Sequence, residues 1–218
     1  MAKSNMGLRK ITFTIILLCV VRSFVAEKNV AVGKPSQQSS KYNDVWVAKN
    51  VVDGCVNTSI GSGCCTHTNT EDSSGVLAKT VWWRVNLEQM TTINRITIYY
   101  RGEHSLIKDH KLFRLPSLEK FQTRLAGYEL YVSNSTSSPQ DGTLCFTDTS
   151  STSSSVQLIV THQCPYVGQY VTVYNYRNSN KRQPWYSNDA VLILCEVQVW
   201  VSITSMNTYA VSTIKRSA

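Results

Sequence analysis

The stretch "AVLILCEVQVW", residues 190–200, decides the fold. Read as an extended chain, it puts Ile193, Cys195, Val197 and Val199 on one side. Leu192, Leu194, Glu196, Gln198 and Trp200 fall on the other. A period of two in Val- and Ile-rich sequence marks a strand. The same alternation recurs in "INRITIYY" (93–100), "GYELYVSN" (127–134), "SVQLIV" (155–160) and "YVTVYN" (170–175). Turn-rich stretches separate these runs at 54–64, 133–143, 148–155 and 177–189. Helix signals are weak, and no long stretch has a period of 3.6. Many short strands joined by long polar loops predict an all-β antiparallel sandwich or barrel. The low-complexity segment "TDTSSTSSS", 147–155, reads as a surface loop of that framework.

Outside the strands, the first 26 residues look like a leader. Lys3, Arg9 and Lys10 precede the apolar run "ITFTIILLCVV" (11–21), and small residues lead to Ala26. This is the pattern of a secretory signal peptide, and the run is too short for a bilayer-spanning helix. Removal of residues 1–26 leaves roughly 190 residues, enough for one domain with its own core. The formal charge is +8, and residues 1–26 carry four basic and no acidic side chains, which leaves +4. Without a dense Lys/Arg stripe, this excess predicts no nucleic-acid partner. No later run reaches membrane length, so membrane insertion is not expected. The end of the chain, 202–218, has no strong pattern and reads as a flexible tail, which leaves 27–201 as the folded domain.

Of seven cysteines, Cys19 lies in the leader, and Cys55, Cys64, Cys65, Cys145, Cys164 and Cys195 remain. An even number in a secreted chain predicts three disulfides, with fifteen possible connectivities. Cys64 and Cys65 are adjacent, and bonding them to each other would strain the peptide between them. Each is therefore expected to reach a different partner. Cys64, Cys65 and His67 also have the residue types of a zinc site, but no second pair of ligands has matching spacing. Asp53 and Glu196 are two carboxylates that a fold could bring together, and carboxylates with loop carbonyls suit calcium. Asn57 and Asn134 each begin an Asn-x-Ser/Thr acceptor site for a glycan.

Several blocks in order carry a family resemblance: "NVAVGKPSQQSSKYN", "NVVDG", "CCTHT", "WWRVNL", "INRITIYYRGE", "RLAGYELYVSNS", "GQYVTVY" and "LILCEVQVW". Together they resemble the fucolectin-type (F-type lectin) domain, which is related to discoidin-like, or coagulation factor 5/8 type C, domains. The resemblance runs from Asn29 to Trp200. It implies a galactose-binding-like jelly-roll sandwich of about eight main strands. It also implies one structural Ca2+, held by Asn50, Asp53, Cys55, Cys64, Cys195 and Glu196, with side-chain oxygens from Asp53 and Glu196. The disulfides it implies are Cys65–Cys195 and Cys145–Cys164, which leaves Cys55 with Cys64.

The family's shallow sugar site uses one histidine and two arginines. These fall on His67, Arg101 and Arg124, with Glu103 where an Asp usually steadies the arginines. A guanidinium gives a rigid fork of donors to paired sugar hydroxyls, and neutral imidazole can donate or accept. The resemblance expects His67 to be presented outward at the end of its tethered loop. Typical members have two neighbouring cysteines after the first arginine. Here that position holds the longer loop "HSLIKDHKLFRLPSLEKFQ", 104–122, where Leu112 and Phe113 are candidates for the apolar sugar contact. Trp185 and Tyr186 serve equally as binding aromatics or as packing over the sandwich end.

The function expected is a secreted, calcium-stabilised, non-catalytic lectin for fucosylated or other terminal glycans and glycoproteins. The family suggests a homo-oligomer, a trimer. The alternative is an adhesion or matrix module that recognises a protein through the 104–122 loop. A glycosidase would need two carboxylates across a cleft, and Asp53 and Glu196 are already assigned to the cation.

Overall fold

The computed structural model describes residues 23–102, 116–177 and 182–206. Glu103, Leu112, Phe113, most of the 104–122 loop, leader residues 1–22 and tail residues 207–218 lie outside the described residues. The chain divides into two compact units, Glu27–Ile203 and a second made of Met1–Ala26 with Thr204–Ala218. The first carries the sandwich described below. Of the second, only the strand ends 23–26 and 204–206 are described.

Nine strands form two antiparallel sheets among the described residues. They are β1 (Ser23–Asn29), β2 (Ser36–Gln38), β3 (Thr80–Thr92), β4 (Arg95–Tyr100), β5 (Glu129–Ser133), β6 (Thr143–Thr147), β7 (Ile159–Gln163), β8 (Val167–Tyr176) and β9 (Leu194–Met206). One sheet has the order β1-β9-β4-β7 and the other β2-β3-β8-β5-β6. Each strand turns its apolar alternate residues inward, so the core lies between the sheets. Ile96, Ile98, Val197 and Val199 come from the first sheet, and Trp83, Val85, Leu130, Val171 and Val173 from the second. Trp83 is fully buried and donates its indole N–H to the Ala48 carbonyl (3.0 Å), while its neighbour Trp82 faces outward.

Several boundaries differ from the sequence reading. The run at 155–160 strands only from Ile159, because Ser153–Ser155 close a 3-10 turn. Residues 190–193 are apolar on both sides but precede β9, since they pack under the loops at the sandwich end. β1 begins inside the expected leader, and β9 continues into the expected tail. The segment read as a simple loop contains a helix, α1 (Pro116–Leu125). Phe121 and Leu125, four residues apart, bury on one helical face and hold it to the core. Trp185 and Tyr186 pack down over the sandwich, edge to face at 4.6 Å between ring centres.

Three disulfides tie the sandwich: Cys55–Cys64, Cys65–Cys195 and Cys145–Cys164, the pairings that the resemblance implies. Adjacent Cys64 and Cys65 thus reach in different directions. Cys65 fastens the 54–68 loop to the start of β9, while Cys145 on β6 bonds Cys164 just beyond β7, which joins the two sheets.

Candidate functional site

At one end of the sandwich, the Cys65–Cys195 bond lays residues 66–68 against the strand-like run before β9. Thr66 N–H donates to the Leu194 carbonyl (2.7 Å) and Thr68 N–H to the Leu192 carbonyl (3.0 Å). His67 lies between these anchors. Contrary to the outward placement expected, it is only 5% exposed. Trp46 stacks on it (5.6 Å between ring centres) and Tyr42 leans against it (4.9 Å). Its Nδ1 lies 2.6 Å from the Thr68 carbonyl. A carbonyl only accepts, so Nδ1 carries the proton and Nε2 of the neutral ring is an acceptor. Burial pushes the imidazole down to about 4, the Thr68 bond opposes this, and the charges of Arg124 and Arg101 lower it further. His67 is neutral at physiological pH.

Both arginines thus act electrostatically on His67. Arg101 follows β4 directly, and its backbone N–H donates to the Ile193 carbonyl (2.9 Å). Its guanidinium lies over the ring of Phe121 from α1, 4.4 Å from the ring centre. Arg124 occupies the last turn of α1, where a cation complements the helix dipole. It pairs with Asp189 at 3.2 Å, both side chains 14% exposed. Asp189 also acts electrostatically on His67. Sequence reasoning missed Asp189, which steadies an arginine much as an acid at 103 was expected to do. It also missed Tyr42, Trp46 and Phe121. The four-residue spacing in "YNDVW" ahead of the Asn50 loop was the available signal for the first two.

The arrangement presents two cations, a neutral imidazole and aromatic rings, with Tyr42 53% exposed. It can bind a polyhydroxylated ligand through forked donors and an aromatic wall. His67, Arg101 and Arg124 bring no carboxylate, hydroxyl or thiol, and the nearby acid, Asp189, is paired with Arg124.

The expected cation corner lies where Glu196 meets the Asp53-Gly54 turn. Glu196 is fully buried, accepts from Gly54 N–H at 3.3 Å through Oε2, and has no hydrogen-bond partner for Oε1. Burial, and then the Asp53 charge, push its carboxyl up to about 8. Asp53 Oδ1 accepts from Cys55 N–H (2.8 Å). Cys55, Cys64 and Cys195 are all oxidised, so each has only its backbone carbonyl to offer a hard cation. Asn50 turns its amide N–H groups to the Val45 and Cys65 carbonyls (2.9 and 3.0 Å). Among the described residues, no three His, Cys, Asp or Glu side chains converge on one point. A buried carboxylate with an orphaned oxygen beside a second carboxylate nonetheless fits a cation completed by carbonyls. Asn57 and Asn134 are both exposed, and their Oδ1 atoms accept from Ser59 and Gln169 N–H respectively. No described helix is long and apolar enough to cross a membrane.

Comparison with known proteins agrees with the fold. Residues 50–173 match the model of an F5/F8 type C family described as the NedA-like, galactose-binding domain. Fucolectin-3 of Anguilla japonica is 32% identical over 81 residues, which cover 35% of this chain and 41% of that protein. This chain thus spans about two fifths of the length of that relative. The crystal structure of an f-lectin (fucolectin) from Morone saxatilis (striped bass) serum superimposes with a TM-score of 0.58 at 26% identity, covering 80% of this chain and 49% of that one. The lectin domain of lectinolysin, solved in complex with Lewis B antigen, shares the fold at 21% identity and a TM-score of 0.52, covering 79% of this chain and 95% of its own. With the family model matched over more than half its residues, this chain belongs to the NedA-like, galactose-binding domain family.

Proposed function

We propose that this chain is a secreted, non-catalytic lectin that holds a terminal glycan residue at the His67–Arg101–Arg124 end of the sandwich. The observation that carries this reading is that the 192–194 run holds buried His67, through Thr66 and Thr68, beside Arg101, with the Arg124–Asp189 pair joined to the same segment. Sugar hydroxyls would accept from the Arg101 and Arg124 guanidinium groups and donate to His67 Nε2, with Tyr42 as the apolar wall. Similarity to Fucolectin-3 and to the striped bass fucolectin supports a fucosylated ligand. Three disulfides support an oxidising, extracellular setting. A single shallow site binds weakly, so the lectin gains avidity as a homo-oligomer, a trimer by family resemblance.

A bound Ca2+ would rest on the Asp53 and Glu196 carboxylates, with carbonyls of the Asn50–Cys64 loop and Cys195. It would supply the positive charge that buried Glu196 lacks and lock the loop that leads to His67. The cation is structural in this reading and takes no part in a reaction. The alternative of a protein partner rests on the 104–122 loop, most of which lies outside the described residues.

A glycan array with and without a calcium chelator tests the proposal. Fucosylated glycans are expected to bind, and Arg101→Ala and Arg124→Ala to abolish binding. Binding to no glycan, or unchanged binding in both variants, overturns the rim assignment. A melting temperature that chelation leaves in place overturns the cation assignment, and a monomer by sedimentation overturns the trimer.

A further inference from the structure

The outward face of the five-stranded sheet carries a second feature, away from the rim. A cavity of about 220 Å3 is lined by Pro35, Gln37, Arg84, Asn86, Thr136 and Tyr170. Strand register builds it: Gln37 lies opposite Arg84, and Asn86 opposite Tyr170, on one face of the sheet. The loop after β5 folds back over this face. Its Thr136 and Ser138 carbonyls accept from Arg84 Nη1 (3.3 Å) and Nη2 (2.7 Å), and Thr172 Oγ1 accepts from Nε (2.9 Å). Arg84 is only 5% exposed, yet all three of these acceptors are uncharged. Among the described residues, no carboxylate lies within 4.0 Å of it, since the ion pairs involve other cations.

A guanidinium has five N–H donors, and these bonds, two to the loop and one to Thr172 on β8, account for three of them. A desolvated charge without a counter-charge is costly, so a site of this kind favours an anion. The acid that acts on Arg84 from the loop is Asp141. Its Oδ2 is already held by Ser135 Oγ (3.0 Å) and Ser138 N–H (2.8 Å). The other walls suit a sugar. Asn86 Oδ1 accepts from Glu88 N–H and from Gln169, which leaves its amide N–H groups to donate. The half-buried Tyr170 ring, 6.0 Å from the Arg84 guanidinium carbon, offers a plane for the C–H face of a pyranose. The exposed Gln37 amide completes the rim of the cavity. The volume is below the roughly 300–1,000 Å3 of pockets that enclose drug-sized ligands, which fits one sugar residue rather than a chain.

We infer that this cavity is a second saccharide site that takes one acidic sugar residue, with its carboxylate or sulfate against Arg84. The site stands independently of the rim. The test is a titration of the full chain with methyl β-D-glucuronide, methyl β-D-glucoside 6-sulfate and neutral methyl β-D-glucoside, read by backbone amide NMR shifts. At least one anionic glycoside is expected to saturate shifts at Arg84, Asn86 and Tyr170, and to bind at least tenfold more tightly than the neutral glycoside. Which one does so identifies the anionic group. Because Arg84 also pins the loop, the variants are Tyr170→Ala and Gln37→Ala on the open walls. Each is expected to weaken the anionic glycoside at least fivefold and to leave array binding at the rim intact. Shifts confined to His67 and Arg101, equal binding of the neutral glycoside, no saturation, or undiminished binding in both variants would overturn the inference. Loss of rim binding alone leaves these shifts in place and so marks a failure of the first reading only.

Discussion

His67, proposed here as a ligand contact, also bears on acid stability. An imidazole in the unfolded chain titrates near 6.5, whereas His67 in the fold is pushed down to about 4 by burial. His162, stacked on Phe146 and bonded to the Tyr128 hydroxyl (2.6 Å), is pushed down to about 4 for the same reason. Between those values the unfolded chain holds a proton that the folded chain lacks, so stability falls as pH drops from 6.5 towards 4. For buried His67, the loss is on the order of 3 kcal/mol. Melting temperature against pH is expected to decline over this window, and His67→Gln to flatten the decline. Under the proposed role of the neutral ring, glycan binding is expected to be level from pH 8 to pH 5 when followed by calorimetry. At the same scale, Asp189→Asn frees Arg124 from its partner and is expected to weaken binding about tenfold, by roughly 1–2 kcal/mol. His67, Arg101 and Arg124 were legible in the sequence because each sits in a quoted family block. Asp189 was not. It lies in a polar loop far along the chain from all three, and only the closed end of the sandwich brings it to Arg124.

Among the elements, α1 was read as loop. Ten residues, with Phe121 and Leu125 buried on one face, give too few turns for a 3.6 period to stand out. β5 and β8 were legible because their alternation is clean. β3 was harder to see: its pairing with β8 shifts between Asn86 and Thr91, so no single alternation runs its length. The join between α1 and β5 is Gly127, with φ at +76° and Tyr186 pressed against it. A Cβ there would stand 2.6 Å from Tyr186 Cε2, in a backbone conformation that side chains disfavour. Gly127→Ala is expected to cost roughly 1–3 kcal/mol in denaturant unfolding. Tyr186 also lies beside Arg177, which donates to the Thr123 and Arg124 carbonyls (3.2 and 2.7 Å). The same substitution should therefore loosen the end of α1 and weaken glycan binding as well.

For the whole molecule, the sandwich could be read from the sequence because nearly every strong pattern has a period of two and the family blocks come in order. The folding of the loop after β5 over the outer sheet face could not, because it depends on Arg84 reaching backbone carbonyls that have no sequence signature. The Cys65–Cys195 bond spans a sequence separation of 130 and carries the rim's geometry. Replacing both cysteines by alanine is expected to cost about 2–5 kcal/mol and to lower glycan affinity, measured by melting and by array. The Cys145–Cys164 bond has a different consequence. β6 and β7 are the outermost strands of their sheets, with unsatisfied backbone along one border each. The sulfur bridge clasps those two borders at the same side of the molecule. In a thiol-rich compartment the clasp would open, and β6 could then recruit strands from other copies. Reduction of this bond is therefore expected to lower solubility, independently of any ligand.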